Sequence, residues 1–288
     1  MSGFDAGEAR GRFSEEARAR FAEQARAERP DLALLCLLIG AGPDPEVDEA
    51  ALDAAQIELD RLAGQLPYRP GGPREWAEAS RELLGERYGF HGSAADYERL
   101  ESSLLHRVLV RRRGLPILLS VVWVEVARRA GAPVYGVALP GHFVVGFGPP
   151  ADLERQVLVD PFHGGRILSE GDADSLVTGA TGAPLEPSML TPAEPMDVVV
   201  RILNNLRSWA TARPERSDVA LWAVELGLAV PSHPARLRYE KGQLLVQRGD
   251  FIGGAAEMEE YAGLVEVVDV GAAERVRKEA FAARSLLN

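Results

Sequence analysis

The run from Ile117 to Ala130, ILLSVVWVEVARRA, constrains this chain more than any other segment, because only Ser120 and Glu125 interrupt its apolar character before Arg128 and Arg129. A helix without a polar face cannot lie on a surface and belongs in the middle of a domain. Pro116 suits the first helical position, where the N–H that proline lacks has no partner to lose. The two arginines complement the negative C-terminal end, and Gly131 stops the helix. A chain of 288 residues, 46% hydrophobic and 26% charged, can enclose such a helix and still cover its surface with polar groups.

Strand-like runs follow at 133–139, 143–147 and 156–159, with Gly148-Pro149-Pro150 opening the connection between the last two. A buried helix followed by an antiparallel sheet is an α+β arrangement. Upstream the texture is helical. Phe13, Ala17 and Phe21 fall four residues apart, Val47, Leu52, Leu59, Leu62 and Leu66 share a face within 44–66, and a further helix is expected over 74–87. Between the first two lies the apolar run Leu32–Ile39, which contains Cys36. The segment 170–195 is rich in Gly, Pro, Ala, Ser and Thr and reads as a covering loop or linker. Beyond it, helices are expected at 219–230, 235–248, 252–264 and 272–287. Gly242, Gly249, Asp250, Phe251 and Tyr261, with Gly254 where a small alanine is usual, resemble a degenerate tetratricopeptide unit. The expected division is a first domain over 1–190, N-terminal helices included, and a helical tail over 196–288.

A net charge of −11 with one dense basic run, Arg111-Arg112-Arg113, argues against nucleic acid or an anionic membrane as the partner. That run is expected to be a solvated turn or a clamp on an acidic surface. The single cysteine excludes an intrachain disulfide and any paired-cysteine zinc or redox module, and no apolar run reaches membrane-spanning length. A cytoplasmic protein without a cofactor is expected.

The candidate site is built from His142 in LPGHFVVGF and Asp160 in QVLVDPFHGG. If 143–147 and 156–160 pair as a hairpin, these two fall within one residue of directly opposed positions, where Cβ atoms lie roughly 4.5–5.5 Å apart. An imidazole donating to a carboxylate has a fixed tautomer and raised basicity, the orienter-and-base half of a nucleophilic triad, but the same pair can also be purely structural. Gly141 and Gly164-Gly165 allow close backbone approach or positive φ beside it. A nucleophile would belong at the N-terminus of the buried helix, where the helix dipole stabilises a thiolate.

The blocks Ser102-Ser103-Leu104-Leu105, RRRGLPILLSVVWVEVARRAG, LPGHF, VDPFHGGR and RILNNL, followed by the tail, resemble those of the bacterial SirB-type proteins, which pair a transglutaminase-like domain with a tetratricopeptide-like tail. The resemblance spans Ala50 to the C-terminus and is strongest over Arg111–Arg166. It implies a papain-like fold in which active members use Cys–His–Asp, with the histidine and aspartate at His142 and Asp160. It also implies a nucleophile at Pro116, which has no reactive side chain, so the thiol is missing.

Cys36 lies far upstream in an apolar run and reads as a buried structural thiol. Ser120 is the substitute to weigh. It lies one turn past Pro116, about 6 Å along the axis, and a serine within a helix more often bonds a backbone carbonyl than attacks a substrate. Glu125 is expected to pair with an arginine. Asp160 and His163 form a D-x-x-H that with His142 has metal-ligand residue types, but the Gly164-Gly165 turn speaks against it and no metal is expected. His91, His106 and His233 carry no assigned chemistry.

Two functions remain. One is a non-catalytic module binding a protein or peptide through the cleft or the helical tail. The other is a hydrolase or acyltransferase with His142 as general base acting on water or Ser120. The sequence leaves the oligomeric state open.

Overall fold

The computed structural model describes residues 3–68, 71–152 and 154–286, with side chains in the first helix described from Phe13 onward. The chain divides into two compact units, Asp31–Ile202 and Met1–Pro30 with Leu203–Asn288. The expected first domain over 1–190 differs from this division at both ends.

In the unit Asp31–Ile202 the helices are α2 (Leu32–Ile39), α3 (Glu49–Ala63), α4 (Pro73–Ser80), α5 (Leu105–Arg111) and α6 (Pro116–Arg129). Then come β1 (Val134–Val137), β2 (Val144–Phe147), β3 (Val157–Asp160), β4 (Arg166–Leu168) and α7 (Glu170–Thr181). Asp31 and Asp48 start α2 and α3 by accepting the amides of Leu34 and Ala51. The helix expected over 74–87 is α4 followed by a π-helical stretch, Arg81–Arg87.

The strands pair in the order β1-β2-β3-β4, each antiparallel to its neighbour. From Pro116 to Ala127 every residue of α6 is buried, as its lack of a polar face requires. β2 shows no inside–outside alternation and is buried at all four positions, which marks a strand covered on both faces. On one face Val137, Val144, Leu158 and Leu168 pack with Ala173 and Val177 of α7. The free edge of β1 is also covered. Val137 bridges to Pro192, and the amide of Ala193 donates to the carbonyl of Gly136 at 2.8 Å.

The segment 170–195, expected to be a loop or linker, therefore contains a helix. Ser169 and Asp172 cap α7 reciprocally, each side chain taking an amide of the other, and Ala173 and Val177 make a small apolar face. Composition hid both features.

The other unit holds α1 (Gly3–Gln24), α9 (Ser217–Ala229), α10 (Arg236–Gln247), α11 (Phe251–Glu266) and α12 (Val270–Ser285), while α8 (Pro195–Thr211) runs across the boundary between units. The N-terminal helix, expected in the first domain, groups instead with this unit: Ala17, Phe21 and Ala25 are buried, Arg18 pairs with Glu225 at 2.9 Å, and its guanidinium lies 5.5 Å from the Trp222 ring centre. α10 and α11 approach through two glycines. A Cβ on Gly254 would stand 2.7 Å from the carbonyl oxygen of Gly242, and one on Gly242 would stand 2.8 Å from that of Gly254. Among the described residues no helix is long and apolar enough to cross a membrane.

Candidate functional site

The hairpin register pairs Val145 with Val159 and Phe147 with Val157. Continued, it sets Asp160 opposite Val144, so His142 is not directly opposed as the spacing argument had it. The two side chains meet on the diagonal, because the chain turns at 139–142 and the amide of His142 donates to the carbonyl of Leu139 at 3.2 Å. Gly141 takes φ 72° in that turn. Nε2 of His142 donates to Oδ1 of Asp160 at 3.0 Å.

Asp160 closes β3 and opens the 3₁₀ turn Pro161–His163, which Gly164 and Gly165 end at φ 67° and 83°. Its Oδ1 also accepts the amide of Phe162 at 3.0 Å, and its Oδ2 accepts Nδ1 of His163 at 2.6 Å. The carboxylate thus bridges two imidazoles. The glycine turn that argued against a role for His163 is the one that brings its ring to Asp160.

Asp160 is wholly buried. Burial pushes its carboxyl upward, but the hydrogen bonds and charges of His142 and His163 outweigh this and hold it below the usual carboxylate range. A carboxylate only accepts, so in each ring the nitrogen facing Asp160 is one that carries a proton. Nδ1 of His142 makes no hydrogen bond among the described residues, in a side chain that is 11% exposed. One nitrogen of each histidine and one oxygen of Asp160 lie within 4.8 Å of one another, a set with the residue types of a metal site.

Phe162 lies among three rings. Its centre is 6.0 Å from that of His142, 5.3 Å from that of His163 and 6.1 Å from that of Tyr97, each in an edge-on arrangement. Behind it Gly92 leaves room for the ring, since a Cβ there would fall 2.0 Å from it. Tyr97, half exposed, belongs to the 3₁₀ turn Ala94–Glu98 and was not anticipated; its phenol is pushed up by burial. Arg201 was also missed, although it opens the RILNNL block. Its guanidinium donates to the carbonyls of Leu139 at 3.1 Å and His142 at 2.9 Å, and burial lowers its pKa.

Pro116 stands at the first position of α6 and is buried. Ser120 is fully buried, and its hydroxyl donates to the carbonyl of Phe143 at 3.2 Å rather than to His142. That bond fixes the backbone next to His142. The Cys36 thiol is enclosed, and burial, then the negative charges of Glu125 and Asp31, push its pKa far above the ordinary thiol value. Glu125 pairs with Arg128 at 2.7 Å and Arg129 at 3.6 Å.

The basic run is only in part the solvated turn expected: Arg112 is exposed at φ 57°, but Arg111 and Arg113 are engaged. Arg111 and Arg113 reach the buried Asp96 at 3.6 and 3.1 Å, and Arg112 lies 4.8 Å over the Tyr88 ring. His91 bonds the Gly89 carbonyl and Arg113, His106 bonds Asp44, and His233 bonds the Val230 carbonyl. Away from the His142 cluster, a cavity of about 360 Å³ opens beside β3, β4 and α7, floored by Leu158, Leu168 and Ala173 and edged by Gln156.

Comparison with known proteins gives the same picture. Residues 53–204 match the transglutaminase-like superfamily and residues 206–288 match the tetratricopeptide repeat. A UPF0162 protein of Xylella fastidiosa (strain Temecula1) is 33% identical over 235 residues, covering 79% of this chain and 82% of that one. A UPF0162 protein of Vibrio cholerae is 29% identical over 196 residues, 66% of this chain and 71% of the other. F-box only protein 21 of Homo sapiens is 29% identical over 105 residues, which is 35% of this chain and 17% of that protein. With its central helix, antiparallel sheet and helical repeats, the chain belongs to the transglutaminase-like superfamily and has bacterial UPF0162 proteins as its relatives.

Proposed function

We propose that this protein is a non-catalytic transglutaminase-like module that binds a protein or peptide partner, with His142 and Asp160 kept for structure and for recognition at the cleft. The observation that carries this reading is the side chain at the start of α6. Pro116 is the residue there, and acyl transfer through a thioester needs a thiolate beside the base. Cys36 is no substitute, being enclosed and held protonated. The missing N–H of Pro116 further weakens an oxyanion site at that helix end. The tetratricopeptide match over 206–288 supports a protein partner. The reading includes membership of the SirB-type branch, on the blocks quoted above, and a cytoplasmic location, for which the single buried cysteine is the support.

A second reading, hydrolysis with His142 as general base on water, is favoured by one observation: Nδ1 of His142 carries no hydrogen bond among the described residues. The version that uses Ser120 is disfavoured by that hydroxyl's burial and by its bond to Phe143.

The test compares the wild type with His142→Ala, using activity probes for serine and cysteine nucleophiles and turnover of an activated ester. The module reading expects no His142-dependent labelling and equal ester turnover. Labelling or turnover that disappears in His142→Ala overturns it.

A further inference from the structure

We propose that His142, Asp160 and His163 bind a borderline divalent transition-metal ion, of which Zn²⁺ is the representative case. This goes beyond the module reading and does not depend on it.

Two imidazoles and one carboxylate are the ligands that Zn²⁺ and its first-row neighbours take in sites that keep a position open for water or a further ligand. A single carboxylate with two nitrogens does not suit Ca²⁺ or Mg²⁺, which ask for a shell of oxygens. No thiol is present to select a softer ion, since Cys36 is enclosed elsewhere in the fold.

The three ligand atoms lie within 4.8 Å of one another. Tetrahedral zinc with bonds of 2.0–2.1 Å needs them about 3.4 Å apart. Two of the three ligands are already fixed. The Phe162 amide holds Oδ1 of Asp160, the Gly165 amide holds the Asp160 carbonyl at 2.9 Å, and Arg201 grips the carbonyl of His142. Supporting contacts of this kind orient metal ligands. His163, already bonded to Asp160, has a side chain that is 57% exposed, so it is the ligand with room to adjust, and its open side is the path of entry. Metal binding replaces the two imidazole–carboxylate hydrogen bonds. In each neutral ring the proton moves to the other nitrogen, so none is gained or lost. Phe162, edge-on to both rings, supplies an apolar wall.

The test uses the purified full chain, stripped with a chelator, titrated with Zn²⁺ by calorimetry and with Co²⁺ by visible absorption. One ion per chain is expected, with a tetrahedral-type cobalt band. His163→Ala is expected to weaken Zn²⁺ binding at least tenfold and to abolish that band, while His91→Ala, at an exposed histidine outside the cluster, changes neither. His163 is exposed, and circular dichroism checks that the fold survives its loss; His142→Ala is the second ligand variant and is expected to weaken binding likewise. Absence of binding, or equal binding by wild type and His163→Ala, overturns the proposal.

Discussion

Arg201 donates to the carbonyl of His142 at 2.9 Å, so a helix distant in sequence sets the position of the imidazole's own backbone. The same guanidinium takes the carbonyl of Leu139, closing the turn from both ends. Removing it leaves the carbonyl of His142 without its donor and that of Leu139 with the amide of His142 alone. Arg201→Ala is expected to destabilise the chain by about 2 kcal/mol, read as a lower urea midpoint with unchanged slope. Arg201→Lys, with a point charge in place of a fork, is expected to recover only part of the loss. A midpoint unchanged in Arg201→Ala would show that the clamp contributes nothing.

Cys36 is expected to resist modification in the native state. Its thiol is enclosed and its thiolate is disfavoured by burial and by Glu125 and Asp31. Mass spectrometry after exposure to iodoacetamide at neutral pH should show no adduct until denaturant is added. Rapid labelling of the folded protein would reopen the question of a working thiol.

Acid should weaken the unit through Asp44 and His106. For Asp44, burial acts upward but hydrogen bonds from Arg107 and His106 prevail and hold the carboxyl well below its ordinary value. Burial likewise lowers His106, against the pull of Asp44, and Arg107 also binds Glu46 at 2.7 Å. A depressed pKa of either residue type means that the unfolded chain takes up the proton first. Both contributions are therefore present at neutral pH and shrink on acidification. The histidine's begins to go below about pH 6.5 and the aspartate's below about pH 4, the values of the unfolded groups. Urea midpoints measured from pH 7 to pH 3 should fall more steeply in the wild type than in Asp44→Asn. Parallel curves would remove Asp44 from the account.

Gly254→Ala should loosen the tetratricopeptide-like pair. The added methyl meets the Gly242 carbonyl, which cannot move unless α10 and α11 separate. Overpacking of this type costs about 1–3 kcal/mol and exceeds the ~1 kcal/mol that alanine gains over glycine inside a helix. Limited proteolysis should cut the variant sooner within 236–285. Equal digestion rates would mean that the helices yield cheaply.

The parts of the fold that could be read in the sequence are those whose signal is local. α6 declared itself by lacking a polar side and by Pro116 at its start, and the strands by short apolar runs between Gly and Pro. The meeting of His142 and Asp160 followed from hairpin spacing even though the register differed by a residue, because diagonal neighbours remain within reach of long side chains. Features that depend on remote partners could not be read. Arg201 points at a turn some sixty positions earlier in the chain, and the basic run 111–113 finds Asp96 only after folding. His163 joined Asp160 through the dihedral angles of a 3₁₀ turn, which the letters D-x-x-H do not specify. α7 was obscured by Gly and Thr although its reciprocal cap was present in the letters Ser169 and Asp172.

The bridge from Val137 to Pro192, with the Ala193 amide on Gly136, has a meaning for how copies of the protein behave at high concentration. A bare outer strand is a template on which another chain can extend the sheet, and proline is a poor continuation because it offers no amide hydrogen. By placing Pro192 against β1 the protein ends its own sheet on that side, so crowded molecules lack an open rung there from which to polymerise.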